Sequence, residues 1–203
     1  MIVATQLGLA DHNKRVALEE FESAEFEEGY RYELIDGRLY VTPAANEPED
    51  WNRAWIYDAL RDYSKSNRKV INRVSFGARV FIPGRKATTC PEPDVSAFHD
   101  YRVLVPRKLM NWQRVSPILV VEVLYDSDPH KDLVRNVELY LQVPSIREYW
   151  IVDCRYAPEE PTLLVYRRRG SKWVTEEYQH GETYTTKLLP GFSLLIDPPP
   201  ITW

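Results

Sequence analysis

The segment Pro117-Ile118-Leu119-Val120-Val121-Glu122-Val123-Leu124 decides the fold, because every position except Glu122 is apolar. A short run of branched residues that opens with a proline is typical of a strand covered on both faces. Glu122 stands out, since an ionised carboxylate in such surroundings is strongly disfavoured unless it is paired or binds a metal. It lies near the carboxyl end of the strand, where open α/β sheets bind their ligands. This carboxylate is therefore either compensated by a partner or functional.

A second buried strand follows the first after one helix. Residues 132–142 are predicted as a helix that starts after the turn at 126–129 and ends before Pro144. The apolar run at 146–153 is the second strand. Strand, helix and strand within about 35 residues have the size of a βαβ crossover.

The remaining patterns complete a mixed α/β domain. They predict an acidic helix at 16–22, a hairpin at 30–41 that turns at Asp36-Gly37, an amphipathic helix at 46–66, one bent strand or two short ones at 70–82, a short strand at 91–98, and hairpin strands at 162–167, 173–178 and 183–196. We expect one domain over residues 1–203, with a loose start at 1–15 and a proline-rich tail at 197–203. Its mixed central sheet is flanked by helices and carries extra antiparallel hairpins.

Composition narrows the classes of function. The chain has 203 residues, a net charge of −4 and 44% apolar residues, which is ordinary for a globular enzyme-sized domain. No global basic field indicates nucleic acid, so such binding would depend on a local patch. Cys90 and Cys154 have no metal-like spacing, and no apolar segment is long enough to span a bilayer. We expect a cytoplasmic protein with no membrane contact.

Acidic residues in or beside apolar strands are the candidate site. Asp94 follows Pro93 at the start of one strand, and Glu122 lies in the central strand. Two carboxylates brought together from adjacent strands repel each other unless a divalent cation neutralises them, and oxygen ligands suit Mg²⁺ or Mn²⁺. Such an ion can polarise a phosphoryl oxygen and supply hydroxide at neutral pH. Glu33 is either a further outer ligand or a surface charge of its hairpin.

The order of several short motifs resembles that of a known family. These motifs are Tyr32-Glu33-Leu34-Ile35-Asp36-Gly37, Pro93-Asp94-Val95, Val121-Glu122-Val123, Asp132-Leu133 with Tyr140, Glu148-Tyr149-Trp150-Ile151-Val152-Asp153 and Leu189-Pro190-Gly191-Phe192. In this order, from about residue 16 to 196, they resemble the Uma-two family of restriction-endonuclease-like proteins, part of the PD-(D/E)XK nuclease superfamily. The resemblance implies a restriction-endonuclease-like core and a metal-dependent endonuclease acting on DNA. It also implies that Asp94 and Glu122 are the metal carboxylates and that Glu33 is an associated catalytic acid.

The sequence departs from the family pattern at the catalytic lysine. The superfamily places this lysine two residues after the second acid, where Leu124 stands, and the Uma-two pattern places it where Asn136 stands. Lys131 is the nearest replacement, although five residues along an α-helix mean about 7.5 Å and roughly 140° of rotation from Asn136. Arg135 is a poorer replacement, because a guanidinium stays protonated. The alternative is a catalytically degenerate nuclease-fold module that binds nucleic acid or a protein partner.

Basic residues offer two candidate contacts for DNA. The first patch lies between the two acidic motifs and consists of Arg102, Arg107, Lys108 and Arg114. The second, Arg167-Arg168-Arg169, is more simply a solvated hairpin turn that could touch phosphates. Asp153, at the end of a strand, is interpreted as a turn-former. A homodimer joined through the aromatic hairpins is a further possibility.

Overall fold

A computed structural model describes residues 5–44, 47–101, 112–125 and 129–200. The strands are β1 (Gln6–Leu7), β2 (Glu25–Phe26), β3 (Tyr30–Ile35), β4 (Arg38–Pro43), β5 (Arg73–Phe76), β6 (Val95–Phe98), β7 (Leu119–Leu124), β8 (Glu148–Asp153), β9 (Thr162–Arg169), β10 (Lys172–Tyr178), β11 (Thr183–Thr185) and β12 (Ser193–Leu195). The helices are α1 (Leu18–Ser23), α2 (Glu47–Ser66) and α3 (Asn136–Leu141), and a π-helical turn, Lys131–Arg135, leads directly into α3.

The central sheet has six strands in the order β10-β9-β8-β7-β6-β5. Strands β7 and β8 are parallel, with Glu122 opposite Ile151, and the other neighbours in this sheet are antiparallel. The crossover from β7 to β8 runs through α3 and is the βαβ unit that the sequence predicts. The mixed sheet with flanking helices and separate hairpins confirms the expected fold class.

Each face of the central sheet packs against a different helix. Ile56 and Leu60 of α2 lie in one cluster with Val121 and Val123 of β7. Tyr140 of α3 lies in the cluster on the opposite face, together with Val120 and Leu124 of β7 and Tyr149 of β8. Since side chains alternate along a strand, Glu122 shares the face of Val120 and Leu124, which is the face that α3 covers.

The hairpin of β3 and β4 forms its own small sheet with the predicted turn. Asp36 and Gly37 have φ values of 50° and 70°, which fit a two-residue turn that needs left-handed residues at both positions. Leu34, Leu39 and Val41 of this hairpin are buried against Phe21 of α1. The hairpin therefore has a core that holds β3 in place.

Three regions differ from the expectations drawn from the sequence. The expected loose start contains β1, which pairs in parallel with β2 and buries Leu7 completely. The expected strand at 70–82 is limited to β5 because Gly77 turns the chain with a φ of 56°. The expected strand at 91–98 begins only at Val95. The proline-rich end also makes a contact, since the indole of Trp51 donates a 2.8 Å hydrogen bond to the carbonyl of Pro199.

No helix in the described part of the chain combines the length and the apolar character needed to cross a bilayer.

Candidate functional site

Glu122 is fully buried, and its two carboxylate oxygens differ. Oε1 accepts one hydrogen bond from Asn136 Nδ2 and another from the hydroxyl of Tyr140, both at 2.9 Å. Oε2 has no hydrogen-bond donor among the described residues, and the nearest cation is Lys131 Nζ at 3.9 Å. Asn136 and Tyr140 therefore fix the orientation of the carboxylate and leave one oxygen available.

The π-helical turn at Lys131–Arg135 explains how Lys131 reaches this carboxylate. The backbone N–H of Asn136 donates to the carbonyl of Lys131, five residues earlier, which closes a wider turn than an α-helix does. Residues five apart then lie on nearly the same side, so the α-helical rotation of about 140° does not apply. Lys131 Nζ also lies 3.6 Å from Asp132 Oδ1. The ammonium group thus enters the same cluster as Asn136.

Asp94 is held beside Glu122 by the backbone of the central strand. It is the residue before β6, and its Oδ2 accepts a 2.8 Å hydrogen bond from the backbone N–H of Val123. Its Oδ1 forms an ion pair with Arg31 Nη1 at 2.7 Å. The pairing of β6 with β7 therefore brings the two predicted acids to neighbouring positions.

Glu33 reaches the same cluster from the β3–β4 hairpin. Its Oε1 accepts a 3.0 Å hydrogen bond from the backbone N–H of Glu92, and its Oε2 accepts a 2.6 Å hydrogen bond from Arg135 Nη2. Arg31 and Glu33 lie two residues apart on one strand and so share a face. The hairpin thus contributes one cation and one acid, and Glu33 is a buried acid and not a surface charge.

The charges of the cluster shift the pKa values in opposite directions. Burial raises the pKa of Glu122 well above its usual range, and the charges of Asp132 and Asp94 add to this. Burial likewise raises the pKa of Asp132 to about 6. Burial also disfavours ionised Asp94 and Glu33, but neighbouring cations outweigh it: Arg31, followed by Lys131, lowers the pKa of Asp94, and Lys131 with Arg135 lowers that of Glu33 to about 2.

The donor set fits a small divalent cation. Among the described residues, none donates a hydrogen bond to the buried Oε2 of Glu122, and Asp94 Oδ1 pairs with the guanidinium of Arg31. Within residues 5–44, 47–101, 112–125 and 129–200 no group of three His, Cys, Asp or Glu side chains is placed to hold a metal. Two carboxylates are nevertheless a common protein contribution for Mg²⁺, which keeps several waters and also binds substrate phosphates. Asp94 and Glu122 are the residues that could hold such an ion.

The predicted basic patch is only partly described. Arg102, Arg107 and Lys108 lie outside the described residues. Arg114 is exposed at the end of a single 3₁₀ turn, Trp112–Arg114. Binding of DNA by this basic patch therefore stays a prediction. Asp153 pairs with Arg155 at 2.8 Å, as expected for a residue that stabilises the end of its strand.

Several residues of the cluster were not assigned a site role from the sequence. Asn136 and Tyr140 bind Glu122, Arg31 pairs with Asp94, and Arg135 pairs with Glu33. One signal was available for the helix, since Asp132, Asn136 and Tyr140 recur every four residues and so share a face. Nothing in the sequence pairs Arg31 with Asp94, because 63 positions separate them.

The fold brings the acids of the cluster together on the central sheet. The sheet carries neighbouring carboxylates near the carboxyl end of its central strand, with a lysine beside them.

Comparison with known proteins places the chain in a family. It belongs to the family described as "Uma2: Putative restriction endonuclease", whose model matches residues 18–197. The fold is similar to the crystal structure of a protein from Anabaena variabilis ATCC 29413, described as a "putative nuclease belonging to DUF820". That match has a TM-score of 0.66 and 18% sequence identity, and covers 89% of this chain and 95% of the other. No curated protein matches the sequence.

Proposed function

We propose that the protein is a nuclease that hydrolyses phosphodiester bonds in DNA with the help of Mg²⁺ or Mn²⁺. One observation carries this proposal: Glu122 is buried and held by two donors at Oε1, while no described residue donates a hydrogen bond to Oε2, which lies beside Asp94 and Lys131. Buried polar atoms without partners are rare in folded proteins, and a carboxylate oxygen in this position is suited to bind a metal ion. Membership of a restriction-endonuclease family supports the choice of substrate.

Asp94 and Glu122 are the residues that would hold the ion. A divalent ion in such a site polarises the phosphoryl oxygen and lowers the pKa of a bound water. Val123 fixes Asp94 through its backbone N–H, whereas Asn136 and Tyr140 fix Glu122. Because both carboxylates are positioned by hydrogen bonds of the fold, the site needs little rearrangement to receive a cation.

Lys131 acts as a donor and not as a base. Burial opposes its charge, but the carboxylates of Glu122, Glu33 and Asp132 outweigh burial and raise its pKa above the usual value. An ammonium group that stays protonated at neutral pH cannot take a proton from water. It can orient the attacking water or stabilise negative charge that develops on the phosphate. Glu33 assists by holding Arg135 beside the cluster.

Asn136 contributes hydrogen bonds where the family pattern has a lysine. Its Nδ2 donates at 2.9 Å to Glu122 Oε1 and to Asp132 Oδ1, so one neutral amide bridges two carboxylates. Lys131 supplies the positive charge that an amide lacks. Asn136 thus orients the two acids, and Lys131 stabilises negative charge.

A second candidate is a nuclease-fold module that binds nucleic acid without cutting it. Its support is that arginines already compensate two of the acids: Arg31 lies 2.7 Å from Asp94, and Arg135 lies 2.6 Å from Glu33. In this alternative the buried carboxylates are held by internal cations, and no metal is needed. In that case the ion pair between Arg31 and Asp94 persists when Mn²⁺ is added.

Metal binding and cleavage together test the two candidates. Mn²⁺ is titrated calorimetrically into the wild type, Glu122→Gln, Asp94→Asn and the control Asp153→Asn. The control removes an acid from the end of the neighbouring parallel strand, where it pairs with Arg155. The same four proteins are incubated with single-stranded and duplex DNA in Mn²⁺, in Mg²⁺ and in EDTA.

We expect saturable Mn²⁺ binding and DNA cleavage in the wild type and in Asp153→Asn, and neither in the two site variants. Mn²⁺ binding that survives Glu122→Gln would overturn the metal site. DNA binding without turnover, together with no Mn²⁺ binding, would establish the second candidate. The homodimer and the cytoplasmic location stay predictions.

A further inference from the structure

A cleft of about 920 Å³ lies at the end of the central sheet where β8 begins, away from the strand end that carries Glu122. The start of β8 and the end of β9 form part of its wall, and Glu148 pairs there with Leu119 at the amino end of β7. Glu122, by contrast, is close to the carboxyl end of β7. We call this region the arginine cleft, because five cationic side chains line it: Arg147, Arg167, Arg168, Arg169 and Lys187.

Carboxylates compensate one of these cations fully. Arg167 Nε lies 3.1 Å from Glu148 Oε1, and its Nη1 lies 2.8 Å from Glu176 Oε1. These two glutamates are also the acids that line the cleft. Five cations against two carboxylates leave a local surplus of three positive charges. The whole chain has a net charge of −4, so this surplus runs against the overall composition.

Arg168 is held in place by backbone carbonyls. Its guanidinium donates to the backbone carbonyls of Tyr140, Leu141, Val143 and Ile146 at 2.5 to 3.1 Å. Those bonds fix the group at the end of α3, and no carboxylate in the described part of the chain forms an ion pair with it. Burial, and then repulsion from Arg147, lower the pKa of Arg168, as expected where cations are crowded.

The other three cations are exposed and available. Arg147, Arg169 and Lys187 make no ion pair and no side-chain hydrogen bond with any part of the chain that the structure describes. Arginine forks bind phosphate oxygens through paired hydrogen bonds, and lysine adds a point charge. At about 920 Å³ the cleft is much larger than one phosphate, so several phosphates of one strand can lie in it.

We propose that the arginine cleft binds the phosphate backbone of a nucleic-acid strand, at a site separate from the acid cluster. This inference rests on the nucleic-acid substrate of the proposed function and extends it to a second contact surface. The cleft takes the strand by charge and not by base sequence, because its charged groups without an ion pair in the described chain are cationic side chains. It holds the nucleic acid, while the acid cluster near the other end of the strands cleaves it.

Binding of a labelled oligonucleotide tests the arginine cleft. Fluorescence anisotropy is measured with a fluorescein-labelled 20-mer, single-stranded and duplex, in EDTA at several KCl concentrations between 50 and 200 mM. EDTA chelates divalent cations, so binding is measured without cleavage. The variant Arg147→Glu/Lys187→Glu is compared with the control Arg68→Glu/Lys69→Glu, which makes the same charge change at two exposed residues after α2.

We expect the cleft variant to bind at least tenfold more weakly at 50 mM KCl and the control to stay within twofold of the wild type. Since each neutralised phosphate contributes about 0.9 to the salt slope for duplex DNA and about 0.7 for single strands, the slope falls by about 1.4 to 1.8. Equal losses in both variants, or an unchanged slope, overturn the proposal. So does the absence of binding by the wild type.

Two further measurements separate the possible failures. ATP and inorganic phosphate are added as competitors, and displacement of the 20-mer by micromolar ATP assigns the cleft to a small phosphate ligand and overturns the strand proposal. Mn²⁺ titration of the cleft variant must match the wild type, because the acid cluster is untouched. Loss of DNA binding with intact Mn²⁺ binding in the cleft variant supports the arginine cleft. Loss of Mn²⁺ binding with intact DNA binding in Glu122→Gln concerns only the acid cluster.

Discussion

Two buried glutamates on neighbouring parallel strands are held in opposite ways. Glu148 of β8 accepts hydrogen bonds at both oxygens, from Arg167 Nε and Thr186 at Oε1 and from Trp150 Nε1 and Tyr184 at Oε2. Glu122 of β7 accepts two hydrogen bonds at Oε1 and none at Oε2 among the described residues. Both side chains are almost completely buried.

The difference lies in the hydrogen-bond donors that surround each acid. Burial alone does not separate the two residues, and each has a cation beside it. Glu148 has a complete set of donors, so its charge serves the packing of β8 against β9 and β11. Glu122 is oriented by two donors at Oε1, and no described residue donates to its Oε2; an incompletely satisfied group in a folded core is typical of a functional position.

Removal of the cation beside each acid should give the largest difference in cleavage rate. We expect Lys131→Met to lower the single-turnover cleavage rate at saturating DNA about 10³-fold, or about 4 kcal/mol, because charge on the phosphate is no longer stabilised. The matched change Arg167→Met removes the cation beside Glu148 and leaves that rate within about twofold. Rapid-quench assays well below the Tm of each variant measure both. Equal losses would remove the distinction between the two acids.

Glu148→Gln should give the largest loss of stability. An amide cannot accept from four donors at once, and Arg167 loses its buried partner, so we expect about 3 kcal/mol of destabilisation. For a chain of this length that lowers the Tm by about 6 to 12 °C. Calorimetry of the variant measures this loss. A loss below about 1 kcal/mol would mean that the donors around Glu148 rearrange without difficulty.

Two tyrosines separate orientation from packing. Tyr140→Phe and Tyr184→Phe each remove one hydroxyl from a buried glutamate and keep the ring, so each should lose about 1 kcal/mol of stability. Only Tyr140→Phe should also slow cleavage, by about tenfold, because Glu122 is then held by Asn136 alone. Denaturant titration and cleavage assays on the same preparations compare them. A slower rate in Tyr184→Phe would contradict the assignment.

Glu122→Gln should change the stability by a similarly small amount, but with the opposite sign. The unfolded chain releases this proton near pH 4.5, whereas burial raises the pKa in the folded protein. Wild-type stability therefore falls as the pH rises above 4.5, and a glutamine is free of that loss. Its carbonyl can still accept from Asn136 and Tyr140.

We expect the Glu122→Gln variant to match the wild type at pH 4 and to exceed it by about 1 kcal/mol at pH 8, or roughly 2 to 4 °C in Tm. Thermal melts across this pH range provide the measurement. A variant that is less stable than the wild type at pH 8 would show that ionised Glu122 is as well compensated as Glu148.

Local patterns predicted much of the fold and part of the cluster. The apolar run of β7 indicated the central strand, and Asp36-Gly37 indicated the hairpin that positions Glu33. The extent of the strand predicted at 70–82 was wrong, because Gly77 turns the chain where the apolar pattern continues. Patterns report burial and turns well, since both depend on neighbouring residues. They do not report which distant side chains meet.

The sequence by itself determined that Glu122 had to be compensated or functional, because a charge in an apolar strand needs a partner. Only the tertiary structure decided which donors reach each oxygen: Asn136 and Tyr140 bind Oε1, and Oε2 stays without a hydrogen bond from the described residues. It also decided that Lys131 reaches Glu122, through a π-helical turn that no spacing rule anticipates. The physical reason is that hydrogen-bond satisfaction depends on atoms from β3, β7 and α3 arriving within about 3 Å of one another.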